Sequence, residues 1–212
     1  MSSKVKNYNE HVKWRRECVK RFGTINDLPI LNPDNIAIEI IRSQNGSILD
    51  FGSGIGMRLK SDYNIADDRY YSLDNDLDGD FDYNSLDDIS SFKKFDFVIM
   101  NQVIEHIPFE DCISLMKDLQ KHLNIGGYVF ITVPNMQHPV RYWCDLDHVT
   151  TWTFEDIFGL FKNTGFDVEQ LARFNKHKLT SNIVKKYIIK TVCEAFRVDW
   201  CDSIMGLARK TS

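Results

Sequence analysis

The sequence predicts an α/β fold around a mostly parallel sheet, and three observations carry the prediction. Residues 48–56 read Ile48-Leu49-Asp50-Phe51-Gly52-Ser53-Gly54-Ile55-Gly56, apolar residues leading straight into three glycines spaced by two. A buried strand feeding a tight loop has this form, because glycine takes positive φ and has no side chain to hold a ligand off the backbone. Residues 95–101 (FDFVIMN) are a near-continuous apolar run, as a parallel strand covered on both faces requires. Strand-like and helix-period stretches then alternate along the chain, the order that lays down parallel strands with crossover helices.

The bulk numbers fit one domain, residues 1–212, with 1–33 as an N-terminal cap or lid and 34–212 as the core. Hydrophobic residues are 43% and charged residues 26%, a globular mixture with enough chain for a full core. The formal charge of −4 argues against nonspecific nucleic-acid binding, which wants a basic face. No apolar run reaches the length of a membrane span, and the start, MSSKVKNYNEHVK, has no apolar centre for a signal peptide. Cys18, Cys112, Cys144, Cys193 and Cys201 are scattered without a CxxC pair. They read as reduced thiols in an intracellular, cytoplasmic protein.

Residues 4–22 have helical spacing, with Val12, Arg16 and Val19 along one side. This helix either covers one end of the sheet or acts as a lid with Tyr8 and His11 facing in. A connector with Gly23, Pro29 and Pro33 leads to a helix over 34–44, whose buried side is Ile36, Ile40 and Ile41 and whose stop is Asn45-Gly46. Strands are expected at 47–51, 70–74, 80–84, 95–101, 128–133 and 166–171, with a last strand at 203–208. Only five residues, 75–79, separate the second and third, so no helix fits between them. The acidic run Asp74, Asp76, Asp78, Asp80, Asp82 lacks the glycine and closing glutamate of a calcium loop. Pro108 starts a helix over 109–123 with Ile113, Met116, Leu119 and Leu123 buried. Thr153 caps a helix over 154–163. A helix over 181–196 is expected to bury Val184, Tyr187, Ile188, Thr191, Val192 and Ala195, with Lys185, Lys186 and Lys190 in solvent. Residues 172–200 exceed a simple hairpin connection and form an insertion on the substrate side.

The glycine loop resembles the first motif of the class I S-adenosylmethionine (SAM)-dependent methyltransferases, among them small enzymes of the "methyltransferase domain 11" type. Tyr71-Ser72-Leu73-Asp74, Asp82–Ile89, Phe95–Ile107 and Gly126–Asn135 resemble four further segments of that family, in order. The resemblance implies a Rossmann-like fold: a mostly parallel seven-stranded sheet, last strand antiparallel, shortened between strands 2 and 3. It also implies SAM as cofactor. Gly52, Ser53, Gly54 and Gly56 would let it pass the backbone, and Asp50 would bind water or its amino-acid end. Asp74, with Asn75 beside it, would take the ribose hydroxyls. Asn84, Ser85 and Leu86 would lie by the adenine, and Asn101, Gln102 and Val103 under the methionine part. A carboxylate at Asp50 would repel a pyrophosphate but suits an amine or a sulfonium.

The acceptor side rests on Gln102, Glu105 and His106 and on the loop 136–152, rich in aromatic, imidazole and carboxylate groups, including His138, Arg141, Tyr142, Trp143, Asp145, Asp147 and His148. Long loops at the functional edge of a sheet carry binding and chemistry. One reading makes His148 the general base, oriented by Asp147 or Glu105; another has Glu105 and His106 merely pin the loop after the 95–101 strand. The segment also resembles, more narrowly, enzymes that 2′-O-methylate the terminal ribose of small RNAs using a divalent metal, Mg²⁺ or Mn²⁺. The matching positions are Gln102, Glu105, His106 and His148, and Gln102 departs from that pattern, which has a carboxylate. A fainter resemblance links the chain to compact glycan methyltransferases of large DNA viruses of algae. The expected reaction is methyl transfer to a saccharide hydroxyl. RNA ribose 2′-O-methylation and a noncatalytic SAM-binding partner role are the alternatives.

Overall fold

A computed structural model of the protein describes residues 2–141, 145–175, 183–196 and 198–212. Its sheet has six strands: β1 (Ile48–Phe51), β2 (Tyr70–Leu73), β3 (Phe95–Asn101), β4 (Leu123–Pro134), β5 (Phe166–Phe174) and β6 (Ser203–Lys210). Their order is β2-β1-β3-β4-β6-β5. The β1–β2, β1–β3 and β3–β4 pairs are parallel, and β6 runs antiparallel to both β4 and β5. The strand order reverses between β1 and β3, and ligands of open α/β sheets bind outside the carboxyl ends of the strands at such a switch point.

Among the described residues the strand expected at 80–84 does not join the sheet as a ladder. Residues 80–84 contribute one isolated bridge, Leu73 with Tyr83. The acidic run explains this. Asp74 and Asp76 accept hydrogen bonds from the backbone N–H groups of Asp76 and Asp78 at 3.1 and 3.0 Å, and the Asp82 carboxylate accepts from the N–H and hydroxyl of Ser72. Side chains that bond nearby backbone favour turns over a ladder.

The helices are α1 (Ser2–Phe22), α2 (Pro33–Ser43), α3 (Arg58–Asp62), α4 (Phe109–Lys121), α5 (Phe154–Asn163) and α6 (Ile183–Phe196). Alternation along the strands splits the core in two. Leu49, Val98, Met100, Val129 and Ile131 join α4 and α5 on one face. Ile48, Phe97, Ile99 and Phe130 join Ala37, Ile40 and Ile41 of α2 on the other. The C-terminal half of α1 lies on α5: Trp14 Nε1 donates to Asn163 Oδ1 at 2.7 Å, and the Phe22 and Phe158 ring centroids are 6.0 Å apart. The side chains of Tyr8 and His11, which would face inward if the helix were a lid, lie outside the described residues, as do Tyr142, Trp143 and Cys144 of the long loop.

The expected buried stripe of α6 is a correction. Tyr187, Ile188, Thr191, Val192 and Ala195 are exposed, while Cys193 is buried. The helical period was legible, but a period does not say which side meets a partner. The Val184, Lys185 and Lys186 side chains lie outside the described residues, and Lys190 is exposed as expected.

Candidate active site

The glycine loop leaves β1 with two residues in the left-handed region, Gly52 at φ 77° and Gly54 at φ 61°. A Cβ on Gly52 would stand 2.4 Å from a methyl of Val103, so glycine is also needed for close approach. Gly56 has neither constraint; the left-handed residue after it is Met57, at φ 40°. The loop is tied to the next strand: Gly52 N and Ser53 N donate to Leu73 O at 2.7 and 3.3 Å, and Gly54 N donates to the Asp74 carboxylate at 2.8 Å. Asp74 therefore holds the loop and keeps lone pairs for a ligand.

Asp50 is buried on the α2 face, where the Tyr70 hydroxyl donates to its carboxylate at 2.6 Å. Burial pushes its pKa up to about 6, the Tyr70 hydrogen bond lowers it and the Asp74 charge adds to the rise.

A cavity of about 610 Å³ opens on the α4 side of the loop, and Gly52, Asp74, Asn75, Asn84, Ser85, Leu86, Gln102 and Val103 line it, with Phe51, Asp118 and His106 among its other walls. Eight of the residues expected to hold the cofactor thus meet in one space, which has the size of a small-molecule site. A glycine wall, a half-buried carboxylate and a polar segment at 84–86 fit an adenosyl group. Asp50, Ser53, Gly54 and Gly56 lie outside that lining, and Asn101 lines a different cavity.

β3 is followed by Gln102, held at φ 59°. Its Nε2 donates to Thr132 Oγ1 at 3.3 Å, and Thr132 Oγ1 donates to Asn101 Oδ1 at 2.5 Å. A short 3₁₀ turn, Ile104–His106, follows. The loop from 145 to 152 is laced onto it. Val149 N and Thr150 N donate to Glu105 O at 2.9 and 3.0 Å, the Thr150 hydroxyl donates to Ile107 O at 2.6 Å, and Trp152 Nε1 donates to Ile104 O at 3.1 Å. This lacing brings His148 to His106, with ring centroids 5.1 Å apart at 62°. Ligand-type atoms of Glu105, His106 and His148 all lie within 4.8 Å of one another. Glu105 is buried and His106 exposed.

Asp147 enters through its backbone: its carbonyl lies 3.2 Å from His106 Nδ1. Besides Glu105, the carboxylate near His148 is that of Asp145, with Oδ2 3.8 Å from Nε2. A cavity of about 310 Å³ gathers Gln102, Glu105, His106, Pro134, Arg141, Asp145 and His148. It shares Gln102 and His106 with the larger cavity, so the two spaces adjoin. Thr132 and Tyr70 were not singled out from the sequence. Thr132 carried a signal, a lone hydroxyl in the apolar run FITVP; Tyr70 looks like any strand aromatic.

The donor set of Glu105, His106 and His148 also suits a divalent cation. A proton on His106 Nδ1 makes its contact with Asp147 O a hydrogen bond and leaves Nε2 as the ligand atom, an orientation common in metal-binding histidines.

Known proteins agree with this architecture. A structure of a SAM-dependent methyltransferase from Archaeoglobus fulgidus superposes with a TM-score of 0.58 at 18% identity, covering 84% of this chain and 94% of that one. The N-methyltransferase NodS from Bradyrhizobium japonicum, in complex with S-adenosylhomocysteine, gives 0.58 at 11% identity over 85% and 86%. The Haemonchus contortus phosphoethanolamine N-methyltransferase 2, in complex with SAM, gives 0.55 at 17% identity; this chain is covered to 94% and spans 60% of that one. No curated protein matches the sequence. The profile of the family described as "Methyltransferase domain" matches residues 19–171, most of the chain. On that match the chain belongs to the methyltransferase-domain family, with the class I SAM-dependent methyltransferase fold.

Proposed function

We propose that the chain transfers the methyl group of SAM to a hydroxyl oxygen of a saccharide, with His148 accepting the hydroxyl proton. The observation that supports this is the Glu105–His106–His148 cluster in a small cavity adjoining the cofactor cavity. SAM, when bound, supplies a methyl group on a sulfonium leaving group. The residues of the chain then have two tasks: to align an acceptor oxygen in line with that bond, and to take its proton. A hydroxyl is a poor nucleophile until it loses a proton, whereas a neutral amine attacks without help. A buried carboxylate beside two imidazoles therefore favours oxygen as the acceptor atom, although two of the structural relatives are N-methyltransferases.

Asp145, with the chain fold around Glu105, keeps the His148 ring turned into the cavity. A divalent ion held by Glu105, His106 and His148 would lower the pKa of a bound hydroxyl and would favour a vicinal cis-diol. The small-RNA reading is weaker: Gln102 stands where that pattern has a carboxylate, Arg141 is the one Lys or Arg among the described residues lining the cavity, and the net charge is −4.

The test is radiolabelled methyl transfer to neutral glycosides, beginning with rhamnosides and cis-diol sugars, with and without EDTA and Mg²⁺ or Mn²⁺. His148→Ala is expected to keep S-adenosylhomocysteine (SAH) affinity and to lower turnover by about 10²-fold. Near-normal turnover removes His148 from the mechanism. Failure of the native chain to bind SAH returns the noncatalytic partner role.

A further inference from the structure

A third cavity, of about 680 Å³, lies on the α2 side of the sheet and is assigned to nothing so far. We infer that it is a second acceptor subsite, which holds the part of an uncharged, hydroxyl-rich acceptor that does not react. The inference rests on the saccharide reading above and extends it to an acceptor of more than one sugar unit.

Its floor is apolar. Ile99 and Phe130 lie side by side on β3 and β4, and Phe174 closes the end of β5. Its rim is polar and neutral: Asn101, Thr132 and Asn175 sit at the carboxyl ends of the same strands, with Tyr63 opposite. Apolar surface bordered by amides and hydroxyls is what a sugar ring presents in complement, with C–H faces on the floor and hydroxyls on the rim. The rim amide of Asn175 is fixed, since its Oδ1 accepts from Asp202 N at 3.0 Å. Tyr63 is fixed by donating to Asp34 at 2.7 Å.

Among the described residues the lining contains no Lys, Arg or His, and its single carboxylic acid is Asp34. Beside that aspartate a phosphate or carboxylate would meet no counter-charge among the described lining residues, and none of them offsets its desolvation cost. That argues against a nucleotide acceptor. It also argues against the carboxylate end of SAM, whose short tail is in any case far smaller than a space larger than the 610 Å³ cofactor cavity.

The position fits the chemistry. The hydrogen-bonded row Gln102–Thr132–Asn101 joins the spaces: Gln102 lines the cofactor and reaction cavities, and Thr132 and Asn101 line this one. An acceptor crossing that row places one ring in the 310 Å³ space by His148 and the next on Phe130 and Phe174.

The experiment is an NMR titration of the ¹⁵N-labelled chain, saturated with SAH, with methyl α-maltoside and separately with glucose 6-phosphate. Amide signals of Asn101, Phe130 and Asn175 are expected to shift saturably with the neutral disaccharide and not with the phosphate. No shift at these residues, or equal shifts with both, overturns the subsite. Ile30→Trp supplies the second arm, because Ile30 lines the cavity and is exposed, so the fold tolerates the bulk. It is expected to weaken the disaccharide-induced shifts by about tenfold in apparent Kd, with SAH affinity unchanged. A fall in SAH affinity instead assigns the cavity to the donor and overturns the inference. Saturable shifts without any methyl transfer to glycosides would leave the subsite standing and sink the catalytic proposal, so the two fail separately.

Discussion

Asp50, on β1, and Asp74, just after β2, show how two acids beside the glycine loop differ by environment. Asp50 is buried with one hydrogen bond from Tyr70 and has its pKa raised to about 6 from 3.8. The folded chain therefore holds this proton more tightly than the unfolded chain, and stability falls as pH rises from about 4 to about 6. Above that window the buried charge costs on the order of 2–3 kcal/mol. Asp50→Asn, which can still accept from Tyr70, is expected to raise the Tm of the ligand-free protein at pH 7.5 and to flatten its slope between pH 4 and 6. A Tm that drops at pH 7.5 would contradict this. Asp74 is half-buried and braces Gly54. Asp74→Ala is expected to weaken SAH binding by at least about tenfold, since it removes a charged hydrogen-bond acceptor and releases the loop. Calorimetric titration decides, and unchanged affinity excludes Asp74 from the ribose site.

At the scale of elements, the glycine loop and the 3₁₀ turn after β3 are the two parts on which the site depends. Both leave the sheet at its carboxyl edge, and they touch where Val103 meets Gly52. The helices matter by what they cover. α5 approaches β6 so closely that a Cβ on Gly206 would lie 2.7 Å from Ile157 and 2.8 Å from Phe161. α6 is the opposite case, with Ile188 and Phe196 exposed at 55% and 74%. Ile188→Ser is thus expected to change the unfolding free energy by less than about 0.5 kcal/mol, as surface substitutions do, whereas a core isoleucine cut back so far costs about 2–5 kcal/mol. A denaturant midpoint shifted by the larger amount would show the stripe buried in solution.

Across the whole molecule one buried network clamps the substrate side. Arg173, on β5, pairs with Asp199 at 2.9 Å and donates to the carbonyls of Asn26 and Leu28. Asp199 also accepts from Asn135 at 2.7 Å, just after β4. The connector before α2, the end of β4, the end of β5 and the approach to β6 are thereby held together around two of the three cavities. Asp199→Ala leaves a buried guanidinium without its counter-charge and is expected to destabilise the fold by about 3–5 kcal/mol. Thermal melts measure this, and a loss below about 1 kcal/mol would show the network to be dispensable.

The resemblance to the methyltransferase family pointed to Gly52, Asp74, Asn84, Ser85, Leu86, Gln102 and Val103, which meet in one cavity. The sequence by itself determined what is local or periodic: the β1–glycine-loop junction, the apolar β3 and the cap Thr153. Those signals survive in one dimension because φ > 0, capping and strand burial constrain residue type position by position. Pairing and coverage were decided only by the tertiary structure. Residues 80–84 have strand composition but lost their ladder to aspartate side chains. α6 has a helical stripe, but among the described residues Ile188, Val192 and Phe196 stay exposed. Asp145 rather than Asp147 turned its carboxylate to His148, because the register of a loop is set by the bonds it makes to the segment at 104–107. Tyr70 reached Asp50, and the neutral cavity over Phe130 formed, because residues far apart in sequence share one sheet face. Contact between distant residues is a property of the packed chain, and no local pattern encodes it.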